Sequence, residues 1–173
     1  SPDGRWLAAT KRDGAWIFDA ATGEREHFVP INQGRSTHFV HGGSNLITTS
    51  NHRIAFWPIV TPADPGPGLS RRFETGPREV LTFTNFTYLE PATMRADRRR
   101  LVLPVSQTEA SIIDADDRAE VVRLRGGILP KTSSLSPDGR WVATGTFHGR
   151  GTRVWDAATG AAVHDFRDGN SSA

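Results

Sequence analysis

Six histidines and 19 acidic side chains are the first candidates for chemistry in this 173-residue chain, which contains no cysteine. His38 and His41 lie three residues apart on a predicted strand, so their side chains point to opposite faces and form a poor metal chelate. Asp114, Asp116 and Asp117 resemble paired carboxylates, but they fall at the end of a predicted strand and in the turn that follows it. Their position favours a solvated turn over a catalytic pair.

Two serines are the first residues of a turn motif that occurs twice. Ser1 and Ser136 each open the hexapeptide SPDGRW, and a repeated position favours a structural role over a unique nucleophile. The glycine-rich segments match neither a phosphate loop nor a dinucleotide fingerprint, because no strand-to-helix context surrounds them. The sequence therefore predicts no catalytic residue, no cofactor and no metal.

The composition is that of an ordinary globular protein. The 21 basic and 19 acidic side chains give a net charge of +2, which excludes a disordered polyelectrolyte. No apolar run approaches the ~18 residues that a membrane span needs. We expect a cytoplasmic protein that binds neither membranes nor nucleic acid.

An internal repeat organises the chain. SPDGRW occurs at residues 1–6 and 136–141, and the tetrapeptide AATG follows at 20–23 and 157–160. Weaker copies lie between them, and the equivalent positions Asp19, Pro58, Asp114 and Asp156 are spaced by 39, 56 and 42 residues. The longest spacing contains a Pro- and Gly-rich insertion, so the underlying period is that of a propeller repeat of roughly 40 to 45 residues.

Each repeat is predicted to contain four short strands. Apolar and polar residues alternate, as on a pleated and half-buried surface, and Pro-Asp-Gly or Asp-Gly turns separate the alternating segments. We predict about fifteen strands: three within residues 5–29, and four each within 36–74, 80–124 and 132–166. No segment has helical periodicity. All five tryptophans lie on predicted strands, which favours core packing over a stacking platform for bases or sugars.

This pattern resembles the WD40 repeat family of β-propellers. The resemblance rests on SPDGRW, on Trp155-Asp156 followed by AATG, and on Phe18-Asp19 followed by AATG. The family's Gly-His pair is missing, and only Asp13 occupies its hairpin aspartate position. The resemblance therefore implies an all-β propeller whose buried polar network is incomplete.

In a WD40 blade the SPDG turn joins the innermost strand to the second, which implies that the first blade here lacks its innermost strand. The expected blades cover residues 1–33, 34–76, 77–127 and 128–170 of the partial propeller 1–173. Because family members have more blades, the resemblance implies a fragment of a longer, bacterial chain. The open blade faces would then expose apolar surface.

The turns that join second to third strands are predicted to emerge at one end of the blades, which we call the upper end. Their basic residues are the candidate binding residues: Lys11, Arg12, His52, Arg53, His148 and Arg150. Connections between blades open at the same end and add further cations: Arg35, Arg78, Arg125 and Lys131. This pattern predicts a basic surface for protein partners with acidic segments, and ordinary solvated turns are the alternative.

The resemblance and the lack of catalytic residues in the sequence favour a non-enzymatic scaffold for protein–protein interaction. Two alternatives remain open. One is a regulatory or sensor propeller attached to a signalling enzyme such as a bacterial protein kinase. The other is part of a propeller enzyme whose site lies in further blades.

Overall fold

The computed structural model describes residues 1–51, 53–60, 73–81, 90–126, 130–146 and 151–166. Within these ranges the regular structure is fifteen β-strands and one 3₁₀ turn, which confirms the predicted all-β class. No helix in the described ranges is long and apolar enough to cross a membrane. The chain divides into two compact units, residues 1–82 and 83–173, each with two antiparallel sheets.

The first unit contains two meanders whose strands follow chain order. Sheet 1 consists of β1 (Trp6–Thr10), β2 (Gly14–Asp19) and β3 (Arg25–Pro30). Sheet 2 consists of β4 (Gly34–Val40), the 3₁₀ turn His41–Gly43, β5 (Asn45–Ser50), β6 (Ile54–Pro58) and β7 (Glu79–Leu81). Because Glu79 pairs with Phe56 and Leu81 with Ile54, sheet 2 reaches Leu81 instead of ending near the predicted boundary at residue 76.

The second unit repeats this organisation with two four-stranded meanders. Sheet 3 consists of β8 (Thr93–Met94), β9 (Arg100–Pro104), β10 (Glu109–Asp114) and β11 (Ala119–Arg125). Sheet 4 consists of β12 (Pro130–Leu135), β13 (Trp141–Thr146), β14 (Thr152–Asp156) and β15 (Ala162–Phe166). The first strand of sheet 3 is Thr93–Met94, whereas the sequence predicts that the strands of this repeat begin near residue 80.

One hydrophobic cluster joins the two sheets within each unit. In the first unit, Ala8 and Ile17 of sheet 1 pack in one cluster with Leu46 and Trp57 of sheet 2. In the second unit, a cluster joins sheet 3 to sheet 4 through the following residues: Val102, Ile112, Val142 and Trp155. Burial of these aliphatic and aromatic side chains is the main stabilising contribution, at roughly 1.5–3 kcal/mol for each large side chain.

The repeated SPDG turns share one hydrogen-bond pattern. Ser136 donates its hydroxyl to Asp138 at 2.5 Å and accepts the backbone N–H of Trp141 at 2.9 Å. The Asp138 carboxylate also accepts the backbone N–H of Arg140 at 3.0 Å. The bond from Ser136, followed by that from Arg140, lowers the pKa of Asp138. The first copy of the turn, at residues 1–6, makes the same three contacts.

The hairpins that contain the repeated AATG tetrapeptide are closed by an aspartate and a glycine. Asp156 accepts the backbone N–H groups of Ala158 at 3.0 Å and Thr159 at 2.9 Å, and its bonds with Thr159 are the largest cause of its lowered pKa. Gly160 then adopts a φ of +74°, in the left-handed region that glycine enters without a steric penalty. The first copy, from Asp19 to Gly23, makes the same turn.

Replacing Gly160 with alanine is expected to destabilise the protein more than replacing Gly23. Both have a φ of +74°, but a Cβ on Gly160 would lie 2.9 Å from Val122 Cγ1, whereas a Cβ on Gly23 meets nothing within 4 Å. At both positions, the left-handed backbone conformation costs alanine about 1–2 kcal/mol. At residue 160, overpacking against Val122 adds about 1–3 kcal/mol. Urea unfolding of both variants measures the difference, and equal losses would show that the contact with Val122 has no effect.

Two tryptophans form the same buried hydrogen bond in different sheets. The Trp57 indole N–H donates to the Thr48 hydroxyl at 2.9 Å, and the Trp155 indole N–H donates to the Thr144 hydroxyl at 2.9 Å. In sheet 1 the equivalent of Trp57 is Phe18, which has no donor. The hydrogen bond between tryptophan and threonine is therefore present in sheet 2 of the first unit and in sheet 4 of the second unit.

Candidate functional site

Three turns meet at one end of the first unit: those joining β1 to β2, β3 to β4, and β5 to β6. Backbone hydrogen bonds fix the first turn to the second, since the N–H of Gly34 donates to the Arg12 carbonyl at 2.9 Å. The N–H of Ile31 also donates to the Asp13 carbonyl at 3.1 Å. These bonds hold the predicted upper end of the unit in a defined shape.

A pair of side-chain amides connects the second turn to the third. Asn51 donates its Nδ2 to Gln33 Oε1 at 2.6 Å, and its Oδ1 accepts the Nε of Arg35 at 2.6 Å. Gln33 has a φ of +59°, a left-handed conformation that costs a non-glycine residue about 1–2 kcal/mol. The bond to Asn51 helps to hold this conformation, so the amide pair is a rigid element between the turns.

The amide pair borders two hollows. The larger, of about 430 Å³, contains Arg53 and Arg78 with Trp57, and the smaller, of about 300 Å³, contains Arg12 and Arg35. Gln33 and Asn51 line both. We call the two hollows together the arginine groove, defined by the following residues: Arg12, Gln33, Arg35, Asn51, Arg53, Trp57 and Arg78.

The arginine groove is lined by four arginine side chains. Among the described residues that line it there is no aspartate or glutamate, and Arg12 and Arg53 are exposed. The Arg78 guanidinium lies 5.7 Å from the centre of the Trp57 ring, which is within the range of a cation–π contact. Guanidinium groups bind carboxylates through two parallel hydrogen bonds, so the groove suits an anionic segment.

The structure brings together two of the six predicted binding residues. Arg12 lines the smaller hollow and Arg53 the larger. Lys11 is exposed but lines neither hollow, and its backbone closes the turn by pairing with Gly14. The other three lie outside the described residues: His52, His148 and Arg150.

The four further predicted cations differ between the units. Arg35 and Arg78 belong to the arginine groove. In the second unit, Arg125 lies 3.6 Å from Glu109, and Lys131 lies 2.5 Å from Glu90. Arg125 and Lys131 therefore each have a glutamate within ion-pair distance.

Sequence reasoning missed the amides and the groove role of Trp57. Gln33 and Asn51 were not singled out, although each precedes an arginine of the groove by two residues. That shared spacing was the available signal. The sequence predicts Trp57 in the core, and at 7% exposure it is buried, yet it also lines the larger hollow.

The acidic residues of the second unit form a turn structure. Asp114 accepts the backbone N–H groups of Asp116 at 2.9 Å and Asp117 at 3.1 Å, in the same pattern as Asp156. Arginines accompany them, with Arg99 lying 3.3 Å from Asp116. No group of three or more potential metal ligands occurs in the described ranges.

The fold defines the chain as an all-β protein of consecutive antiparallel meanders. Many solved structures are similar to it. One is Kuenenia stuttgartiensis hydrazine synthase, with a TM-score of 0.72 and 15% sequence identity. The match covers 97% of this chain and 47% of that one, so this chain spans about half the length of its neighbour. No protein-family model and no curated protein matches the chain.

Proposed function

We propose that this chain is part of a WD40-like β-propeller that acts as a non-enzymatic scaffold, and that its arginine groove docks an acidic segment of a partner protein. The propeller assignment is supported by the chain-order meanders and by the equivalent turns of sheets 1 and 4. The observation that carries the binding proposal is the set of four arginines around two adjoining hollows whose described lining contains no carboxylate.

The groove favours an extended acidic peptide over a single small anion. Its arginines are divided between two hollows with the Gln33–Asn51 pair between them. Successive carboxylates of one segment can therefore pair with different arginines. Each exposed pair contributes only about 0.2–1 kcal/mol, so several together are needed for useful affinity. Electrostatic steering also accelerates association at low salt.

Charge reversal in the groove is expected to weaken binding of an acidic probe. We expect Arg12→Glu, Arg53→Glu and Arg78→Glu combined to lower the affinity for a labelled decaglutamate peptide by about 10–100-fold at low salt. Fluorescence anisotropy titrations at several salt concentrations measure the effect. The remaining binding should also depend less on salt, because fewer charges are paired.

Arg99→Glu, Arg125→Glu and Arg140→Glu combined are the matched control, because they make the same change in net charge at three exposed arginines of the second unit, outside the groove. This control should lower peptide affinity much less than the groove variant. Equal losses in the two triple variants would contradict the assignment of the site. Tighter binding of single-stranded DNA of equal charge would favour nucleic acid as the partner and would overturn the proposed partner class.

A further inference from the structure

The larger hollow of the arginine groove is formed by both sheets of the first unit. Thr48 pairs with Ala55, and Ala55 pairs with Val80, so these side chains form a row across β5, β6 and β7 on one face of sheet 2. All three line the hollow. From sheet 1, Pro30 at the end of β3 and the adjacent Ile31 line it as well. The hollow therefore lies between sheet 2 and the end of β3.

The larger hollow combines apolar side chains with its arginines. Val80 is 37% exposed and Pro30 is also exposed, so both are accessible to a ligand beside the buried Ile31. The only polar atom of the Trp57 side chain, the indole nitrogen, already donates to Thr48 at 2.9 Å. The contact that Trp57 can make with a ligand in this hollow is therefore mainly apolar.

The smaller hollow has a different lining. The described residues around it include no apolar side chain: Arg12, Gln33, Gly34, Arg35 and Asn51. The oxygen of Asn51 accepts from Arg35 and the oxygen of Gln33 accepts from Asn51, at 2.6 Å each, so both amide oxygens are used as acceptors inside the site. Guanidinium groups are donors only. The smaller hollow therefore suits a carboxylate, whose oxygens only accept.

The pair of Gln33 and Asn51 separates these two environments, because both residues line both hollows. A segment that crosses the pair meets donors on one side and a partly apolar wall on the other. A carboxylate placed against Val80 and Pro30 would lose hydration without gaining a hydrogen bond from them, which is costly for a charge. An apolar side chain at that point gains free energy from the same contact.

We infer that the acidic segment bound by the arginine groove also carries an apolar side chain, which occupies the larger hollow while neighbouring carboxylates pair with the arginines. The inference rests on the proposed function and specifies the ligand of the same site. Charge complementarity selects the acidic segment, and the apolar wall selects the residue within it. The hollow of about 430 Å³ lies in the size range of small-ligand pockets, so a side chain such as leucine can enter it.

Two peptides of equal charge test this inference on the unmodified chain. Each is the labelled decaglutamate peptide with its fifth residue replaced, by leucine in the leucine peptide and by serine in the serine peptide. We expect the leucine peptide to bind about 5–20-fold more tightly, as partial burial of one leucine side chain predicts. Fluorescence anisotropy measures both affinities. Their ratio should change little between low and high salt, because the two peptides pair the same charges.

A substitution in the apolar wall locates the contact. Val80→Gln replaces an exposed apolar side chain with a neutral polar one, so the charge of the groove is unchanged. We expect it to remove most of the preference for the leucine peptide over the serine peptide. Val121→Gln is the matched control, because Val121 lies on the outer strand of sheet 3 and is 44% exposed. It should retain the preference, and circular dichroism verifies that both variants are folded.

Two results would overturn this inference and leave the proposed function standing. One is equal affinity for the leucine and serine peptides while decaglutamate binding still depends on the groove arginines. The other is a leucine preference that a folded Val80→Gln variant retains in full. If no peptide binds, or if the two triple charge variants lose affinity equally, the proposed function fails and this inference fails with it. The comparison of peptides uses the unmodified chain, so it is decisive even if Val80→Gln does not fold.

Discussion

Replacing Trp155 with alanine is expected to lower the free energy of unfolding of the second unit by about 3–5 kcal/mol. Trp155 is 1% exposed and lies in the cluster that joins sheets 3 and 4. The substitution leaves a large cavity and removes the donor that bonds to Thr144 at 2.9 Å. Denaturant unfolding followed by circular dichroism measures the loss.

Two controls separate the contributions at this position. Trp155→Phe keeps most of the apolar volume but removes the indole donor, so a smaller loss of about 1–3 kcal/mol is expected from the unpaired Thr144 hydroxyl. Trp141→Ala removes the same residue type from a half-buried position in sheet 4. If it costs as much as Trp155→Ala, the burial of Trp155 in the cluster between sheets 3 and 4 is not the cause of the loss.

Phe73→Ala is expected to have a similar effect on the first unit, again about 3–5 kcal/mol. Phe73 is 1% exposed, and its ring lies 5.4 Å from Trp6 and 6.3 Å from Phe39 in edge-on contacts. Its loss opens the cluster between sheets 1 and 2. Thermal or urea unfolding measures the change.

His27 provides a second readout for this substitution. Its ring lies 5.7 Å from Phe73, and burial holds the pKa of His27 below its ordinary value. Removal of Phe73 should expose the imidazole, so the pKa of His27 should rise toward that value, as measured by NMR titration. Phe73→Leu preserves most of the cover and should change both quantities less. An unchanged stability in Phe73→Ala would contradict the packing described for the first unit.

Local sequence patterns predicted the turns and most strands. Asp138 and Asp156 close turns through hydrogen bonds within five residues, so the short motifs that contain them determine the structure. The exception is the segment around residue 80, where the sequence predicts that Val80 and Leu81 begin a new repeat. Only pairing with β6 places them at the outer edge of sheet 2, and sequence alternation does not identify the pairing partner.

The candidate site was less predictable than the fold. Arg12 and Arg53 were placed at one end because antiparallel strands bring alternate turns together. The contacts of Gln33 with Asn51 depend on a left-handed backbone at Gln33 and on the packing of two sheets. The ion pair of Lys131 with Glu90 likewise joins residues 41 positions apart, which no local motif reveals.

The central proposal is tested most directly by NMR spectra of the chain titrated with the decaglutamate peptide. Trp57 and Trp155 form the same indole bond to a threonine, at 2.9 Å in both cases, but only Trp57 lines the arginine groove. We predict that the resonances of the Trp57 indole and of the Gln33 and Asn51 side-chain amides shift with the peptide while the Trp155 indole does not. Peptide binding that leaves the Trp57, Gln33 and Asn51 resonances unmoved would contradict the assignment of this groove as the docking site.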